Sequence, residues 1–185
     1  MGRPRSFDRD AALDKAMRLF WERGYEQTSI NDLTRELGIS APSLYAAFGD
    51  KGALFEEAVA RYEASPESVT AAGNAGTSQR GVLRAMFECA AREYASTAHP
   101  RGCLVNSEPK LAGNRMQNCA ITAARLREVA ESAEAGTNAE ALAAFAQVML
   151  VGLSSYARDG ASEDQLQRVA ELALRVMPTG MTEGR

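Results

Sequence analysis

From Thr28 to Phe55 the chain reads TSINDLTRELGISAPSLYAAFGDKGALF, and this stretch constrains the fold more than any other. Ser29-Ile30-Asn31-Asp32 has the spacing of a capping box, in which two side chains satisfy orphan backbone donors. Ile30, Leu33 and Leu37 follow at i, i+3 and i+7, one apolar stripe along two helical turns. Gly38 comes directly after, where a helix end favours a residue that tolerates positive φ. Ser40 caps a second helix, and Pro42 lies in its first turn, where a missing N–H costs nothing. Leu44 and Phe48 face inward, Gly49 stops the helix, and Asp50 caps a third segment with Leu54, Phe55, Ala58, Val59 and Tyr62 on one side. Two short helices joined by a glycine turn form a helix-turn-helix.

The second helix of such a motif can lie in a DNA major groove. Here it spans Ala41–Phe48, and its outward residues are Ala41, Pro42, Ser43, Tyr45 and Ala46, all small except the tyrosine. Such a face lets backbone and hydroxyls approach base edges, and its methyl groups can meet thymine methyls. Glycine-broken amphipathic helices occur in many small helical proteins, so period and caps alone do not establish DNA binding. The wording is more specific. The Thr-Ser opening, the Leu-Gly-Ile-Ser turn, the Ser-Leu-Tyr-x-x-Phe helix and the Lys that opens the next helix resemble the DNA-binding domain of the TetR family of transcriptional regulators. The resemblance covers about the first third of the chain. It implies an all-α fold, with an N-terminal three-helix DNA-binding domain and a C-terminal helical domain for ligand binding and dimerisation. It also implies that Thr28, Ser29, Tyr45 and Lys51 lie against the DNA backbone, and that a small-molecule effector releases a homodimer from a palindromic operator.

Composition agrees with an all-helical chain of one or two small domains: 185 residues, 45% hydrophobic, with glycines and prolines mostly between periodic segments. Bulk charge gives no support to nucleic-acid binding. The net charge is −3 and the pI about 5.4, and Met1–Tyr62 carries nine lysines and arginines against ten aspartates and glutamates. A basic footprint is the usual first sign of a DNA-binding domain, so motif and placement must carry the case. Met1–Asp10 is polar with no apolar h-region, and no apolar run reaches membrane-spanning length, so a cytoplasmic protein with no membrane partner is expected. Three cysteines without C-x-x-C spacing fit free thiols in a reducing compartment, with no resident metal or cofactor.

Ahead of the motif, Gly2-Arg3-Pro4-Arg5 is a basic tail. Most such tails are simply disordered, but Arg3 and Arg5 are placed to reach phosphates or the minor groove. Asp8 caps a first helix with Leu13, Ala16, Met17, Phe20 and Trp21 inward, ended by Gly24. Lys51 is either a solvated surface lysine or, beside a helix N-terminus, part of a phosphate site; the resemblance favours the second. Ser65–Gln79 is rich in Gly, Pro and small polar residues and reads as a loop. The expected organisation is a DNA-binding domain over 1–62, a linker over 63–80, a ligand-binding and dimerisation domain over 81–178, and a disordered tail over 179–185.

In the second domain, the segments Thr137–Tyr156 and Leu166–Val176 are too apolar to be covered within one subunit. A two-fold dimer whose subunits each contribute both helices is the simplest resolution. Met86, Phe87, Tyr94, Met116, Phe145 and Met149 either line an apolar cavity or form ordinary core. Cys103 and Cys119 adjoin the same volume. A lipophilic effector is the first expectation there. Thiol or soft-metal sensing is the second, with Cys103 activated by Arg101 and His99, and with Cys89, Cys119, Met86 and Met116 as soft ligands for a cuprous ion. A thiol-dependent enzyme built on Cys103 and His99 is remote, since no orienting acid or oxyanion donor is evident.

Overall fold

The computed structural model describes residues 7–65, 68–130 and 139–177. They divide into two compact units, Met1–Ser65 and Pro66–Arg185, and every regular element among the described residues is a helix. Arg3, Arg5, the cap expected at Thr137 and the tail expected after 178 lie outside the described residues.

The first unit contains α1 (Arg9–Arg23), α2 (Ile30–Leu37), α3 (Ala41–Phe48) and α4 (Lys51–Glu63). Each start is fixed by a local side chain. The Asp8 carboxylate accepts the N–H groups of Asp10 and Ala11 at 2.9 and 3.1 Å, and Ser29, Ser40 and Asp50 cap the next three helices. Gly38 takes the left-handed conformation, φ 69° and ψ 30°, which turns the chain between α2 and α3. The core is Phe20 set edge-on to Phe55 with centroids 5.1 Å apart, surrounded by Leu13, Ala16, Leu19, Leu33, Leu37, Leu44, Leu54 and Val59. The expected α1 stripe widens to include Ala12 and Leu19, while Met17 is only half-buried. Both α2 and α4 pack on α1, so its buried arc is broader than one stripe.

The second unit contains α5 (Val69–Ala72), a 3₁₀ turn (Gly73–Ala75), α6 (Gln79–Ala95), α7 (Leu104–Ser107), a second 3₁₀ turn (Pro109–Leu111), α8 (Ala112–Glu128), α9 (Ala139–Arg158) and α10 (Glu163–Arg175). The segment expected to be a loose linker is largely packed. Its glycines permit close approach to α6: a Cβ on Gly76 would fall 2.2 Å from the Val82 nitrogen, and one on Gly73 would fall 3.2 Å from Met86. Helix α6 packs against α5, α9 and α10, and α8 packs against α9.

Helix α9 is long and apolar enough to cross a membrane by length and composition alone, which departs from the expectation that no run is. Leu142, Ala143, Ala146, Leu150 and Leu153 are buried within the chain. The opposite side leaves Val148 70% exposed, alongside Leu172 at 60% and Val176 at 67% on α10.

Candidate nucleic-acid interface

Helix α3 presents the face read from sequence. Leu44 and Phe48 are buried, Pro42, Tyr45 and Ala46 are exposed, and Ala41 and Ser43 are half-buried. The Ser40 hydroxyl accepts the Ser43 N–H at 3.3 Å and lies 2.9 Å from the Ser43 hydroxyl, so both serines take part in the cap. Tyr45, 48% exposed, is the large side chain that projects from the helix.

Ahead of α2 the structure corrects one expectation. Thr28 is fully buried, and its hydroxyl donates to the Gly24 carbonyl at 2.7 Å. Its side chain supports the turn and is not offered to a phosphate. Ser29 is exposed, with its hydroxyl in the capping box: it accepts the Asp32 N–H at 3.1 Å and donates to the Asp32 carboxylate at 2.5 Å. The Ser29 N–H donates to the same carboxylate. These two bonds, followed by Arg35 and Arg23, hold the Asp32 carboxyl below the usual aspartate range.

Lys51 is the first residue of α4, and its ammonium lies 4.0 Å from the centroid of the Tyr25 ring. The Asp50 carboxylate beside it accepts the Ala53 N–H at 2.8 Å. Several other charges in this unit are paired: Arg9 with Glu57, Arg61 with Asp14 and Asp10, and Arg23 and Arg35 with Asp32. Four of the ten acids in Met1–Tyr62, Asp10, Asp14, Asp32 and Glu57, are thus held against four arginines.

In the second unit, Met86, Phe87, Tyr94 and Cys103 are buried, whereas Phe145, Met149 and Cys119 are half-buried. Met116 does not join them: it is 76% exposed. The inner side of the first turns of α8 is taken by Arg115, whose guanidinium donates to the Val105 and Glu108 carbonyls at 2.8 and 2.7 Å. Among the described residues no three of His, Cys, Asp and Glu gather into a metal site. With Met116 in solvent, the soft-metal arrangement loses one of its expected ligands. His99 is turned to Glu93 and the Pro100 carbonyl. Cys103 is held from its backbone, its N–H donating to the Ser154 hydroxyl at 2.9 Å.

Sequence reading missed one polar chain inside this domain. Gln147 donates to the Asn106 side-chain oxygen at 3.0 Å, and Asn106 donates to the Tyr94 hydroxyl at 3.3 Å. The available signal was a lone glutamine in the apolar run Ala143–Leu150 and an asparagine directly after Cys103-Leu104-Val105.

Residues 12–58 match the family described as bacterial regulatory proteins, tetR family. The chain is 34% identical to the HTH-type transcriptional repressor ComR of Escherichia coli (strain K12), over 96% of this chain and 92% of that protein. It is 30% identical to the HTH-type transcriptional repressor BdcR of the same strain, over 98% and 95% of the two chains. Among solved structures, a cysteine-substituted variant of the TetR family transcriptional regulator CifR, complexed with 26 bp double-strand operator DNA, superposes with a TM-score of 0.86 at 35% identity. That match covers 96% of this chain and all of the other. With a helix-turn-helix of the expected geometry and relatives matched along nearly their whole length, this chain belongs to the TetR family of bacterial transcriptional regulators.

Proposed function

We propose that this protein is a transcriptional repressor that binds a palindromic operator as a homodimer in the cytoplasm and is released by a small-molecule effector. The observation that carries this is the α2–α3 pair: two capped helices joined at left-handed Gly38, with Tyr45 projecting from α3. Support comes from ComR and BdcR, which are repressors matched along almost their full length, and from CifR, whose structure holds operator DNA.

In this reading Ala41, Pro42, Ser43 and Tyr45 face the major groove, and Ser29 and Lys51 face the phosphate backbone. Thr28 supports the turn that presents them. The exposed apolar faces of α9 and α10 meet their two-fold copies, which would set the spacing of the two recognition helices on the operator. The effector is an apolar molecule held against Met86, Phe87, Phe145 and Met149, with the Tyr94–Asn106–Gln147 chain available to a polar group. No enzymatic role is assigned; the relatives are regulators. Selection of bound duplexes from random DNA, then release with a lipophile panel, tests the proposal. Enrichment of an inverted repeat, released by some compounds and not others, is the expected result.

A further inference from the structure

We infer that Tyr25 is a positioning residue for Lys51, aiming its ammonium at the operator phosphate backbone while touching no DNA itself. The inference rests on the operator reading above. Lys51 begins α4, and a lysine at that place has a long, freely rotating stem. Its ammonium nevertheless lies over the Tyr25 ring at 4.0 Å, within the range of a cation–π contact. The ring is fixed from its inner side, stacked on Phe20 at 6.1 Å and tilted against Phe55 at 4.9 Å; both phenylalanines are buried. A Cβ on Gly52 would stand 3.8 Å from the Tyr25 hydroxyl, an ordinary van der Waals contact, so the first turn of α4 lies directly against this residue.

The same residue anchors the start of α2. Its carbonyl accepts the Thr28 N–H at 3.3 Å, one residue before the Ser29 cap. Tyr25 therefore links the entry of α2 to the entry of α4. The kind of contact matters as well. An aromatic face orients an ammonium without cancelling its charge, whereas the Arg9–Glu57 and Arg61–Asp14 pairs neutralise theirs. A lysine held this way stays fully positive toward a phosphate and has less side-chain freedom to lose when it binds.

A double-mutant cycle on full-length protein and selected operator tests the inference. Tyr25→Leu should weaken operator binding about threefold per protomer at fixed salt, and Tyr25→Phe should restore wild-type affinity. Lys51→Ala should lower the salt dependence by about one phosphate contact per protomer. In the Lys51→Ala background, Tyr25→Leu should cost nothing more. Progressively fluorinated phenylalanines at position 25, which keep the ring's shape but drain its face of charge, should weaken binding stepwise when Lys51 is present and not when it is absent. This second series applies even where Tyr25→Leu lowers folding stability. Equal costs in both backgrounds would make Tyr25 structural only, and tighter binding by Tyr25→Leu would mean that the ring sequesters the lysine; either overturns the inference. Wild-type protein that prefers no duplex sequence would overturn the operator reading and this inference together. Specific binding with additive costs would overturn this inference alone.

Discussion

Arg9 and Glu57 form a two-point contact: the Nη2 of Arg9 donates to both carboxylate oxygens of Glu57, at 2.8 and 2.7 Å. The same guanidinium lies 4.5 Å over the ring of Phe48, and its Nε donates to the Ala47 carbonyl at 3.3 Å. One side chain from the start of α1 thus holds the last turn of α3 and the middle of α4. Arg9→Met should destabilise the domain by about 1 kcal/mol, the partly exposed ion pair and the cation–π contact each adding a fraction. Glu57→Gln, which leaves the ring and carbonyl contacts intact, should cost less. Urea unfolding of both variants orders the two contributions.

The α3 face yields a prediction about operator chemistry. Ala41–Phe48 contains no Arg, Lys, Asn, Gln, Asp or Glu, the side chains that make bidentate contacts to bases. Contacts from Ala41, Pro42 and Ala46 are then with methyl groups, and Tyr45 supplies the reach. Replacing thymine by deoxyuridine across the selected half-sites should weaken binding, by about 0.8 kcal/mol for each buried methyl lost. Tyr45→Ala should cost about 1–3 kcal/mol on the operator and less on random DNA. Equilibrium binding to matched duplexes measures both.

Assembly can be probed on the exposed face. Ala146, which lies within the apolar segment expected to form the dimer contact, is buried inside the chain, so a charge there would damage the fold. Val148 on α9 and Leu172 on α10 are exposed instead. Val148→Asp and Leu172→Asp should keep helical content and yield monomers with weakened operator binding. Sedimentation and circular dichroism on the same samples separate dissociation from unfolding.

Asp32 sets an acid dependence. Its carboxyl is held below the usual range chiefly by the Ser29 hydroxyl and N–H, then by Arg35 and Arg23. A depressed folded-state value means that its stabilisation is present above the unfolded value, about 3.9, and disappears as pH falls through the lower folded value. Asp32→Asn should therefore lower stability at neutral pH and shallow the loss of stability below about pH 4. Unfolding midpoints between neutral and strongly acidic pH test this.

Much of the first unit was legible because its signals are local. Ser29, Ser40 and Asp50 declare helix starts within three residues of themselves, and Gly38 and Gly49 declare the ends. Thr28 was misplaced because its burial depends on the Gly24 carbonyl across a turn, which no period reveals. Lys51 was singled out, but its ring contact joins residues 26 positions apart in sequence and is fixed by tertiary packing. In the second unit, Gly73 and Gly76 looked like linker residues; glycine serves close packing and loose chain equally well, and only the approach of α6 distinguishes them. Met116, expected at an apolar cavity or core, is exposed because Arg115 takes the inner side of the first turns of α8.

A dimeric operator-binding regulator must distinguish an inverted repeat from other duplex DNA. Titration of a selected inverted-repeat duplex against a scrambled duplex of equal length, at fixed salt and with mass determined for the complex, tests it most directly. Binding at least about a thousandfold tighter to the inverted repeat is expected, with an even number of protomers on each operator. Equal affinity for both duplexes, or one protomer bound per inverted repeat, would contradict it.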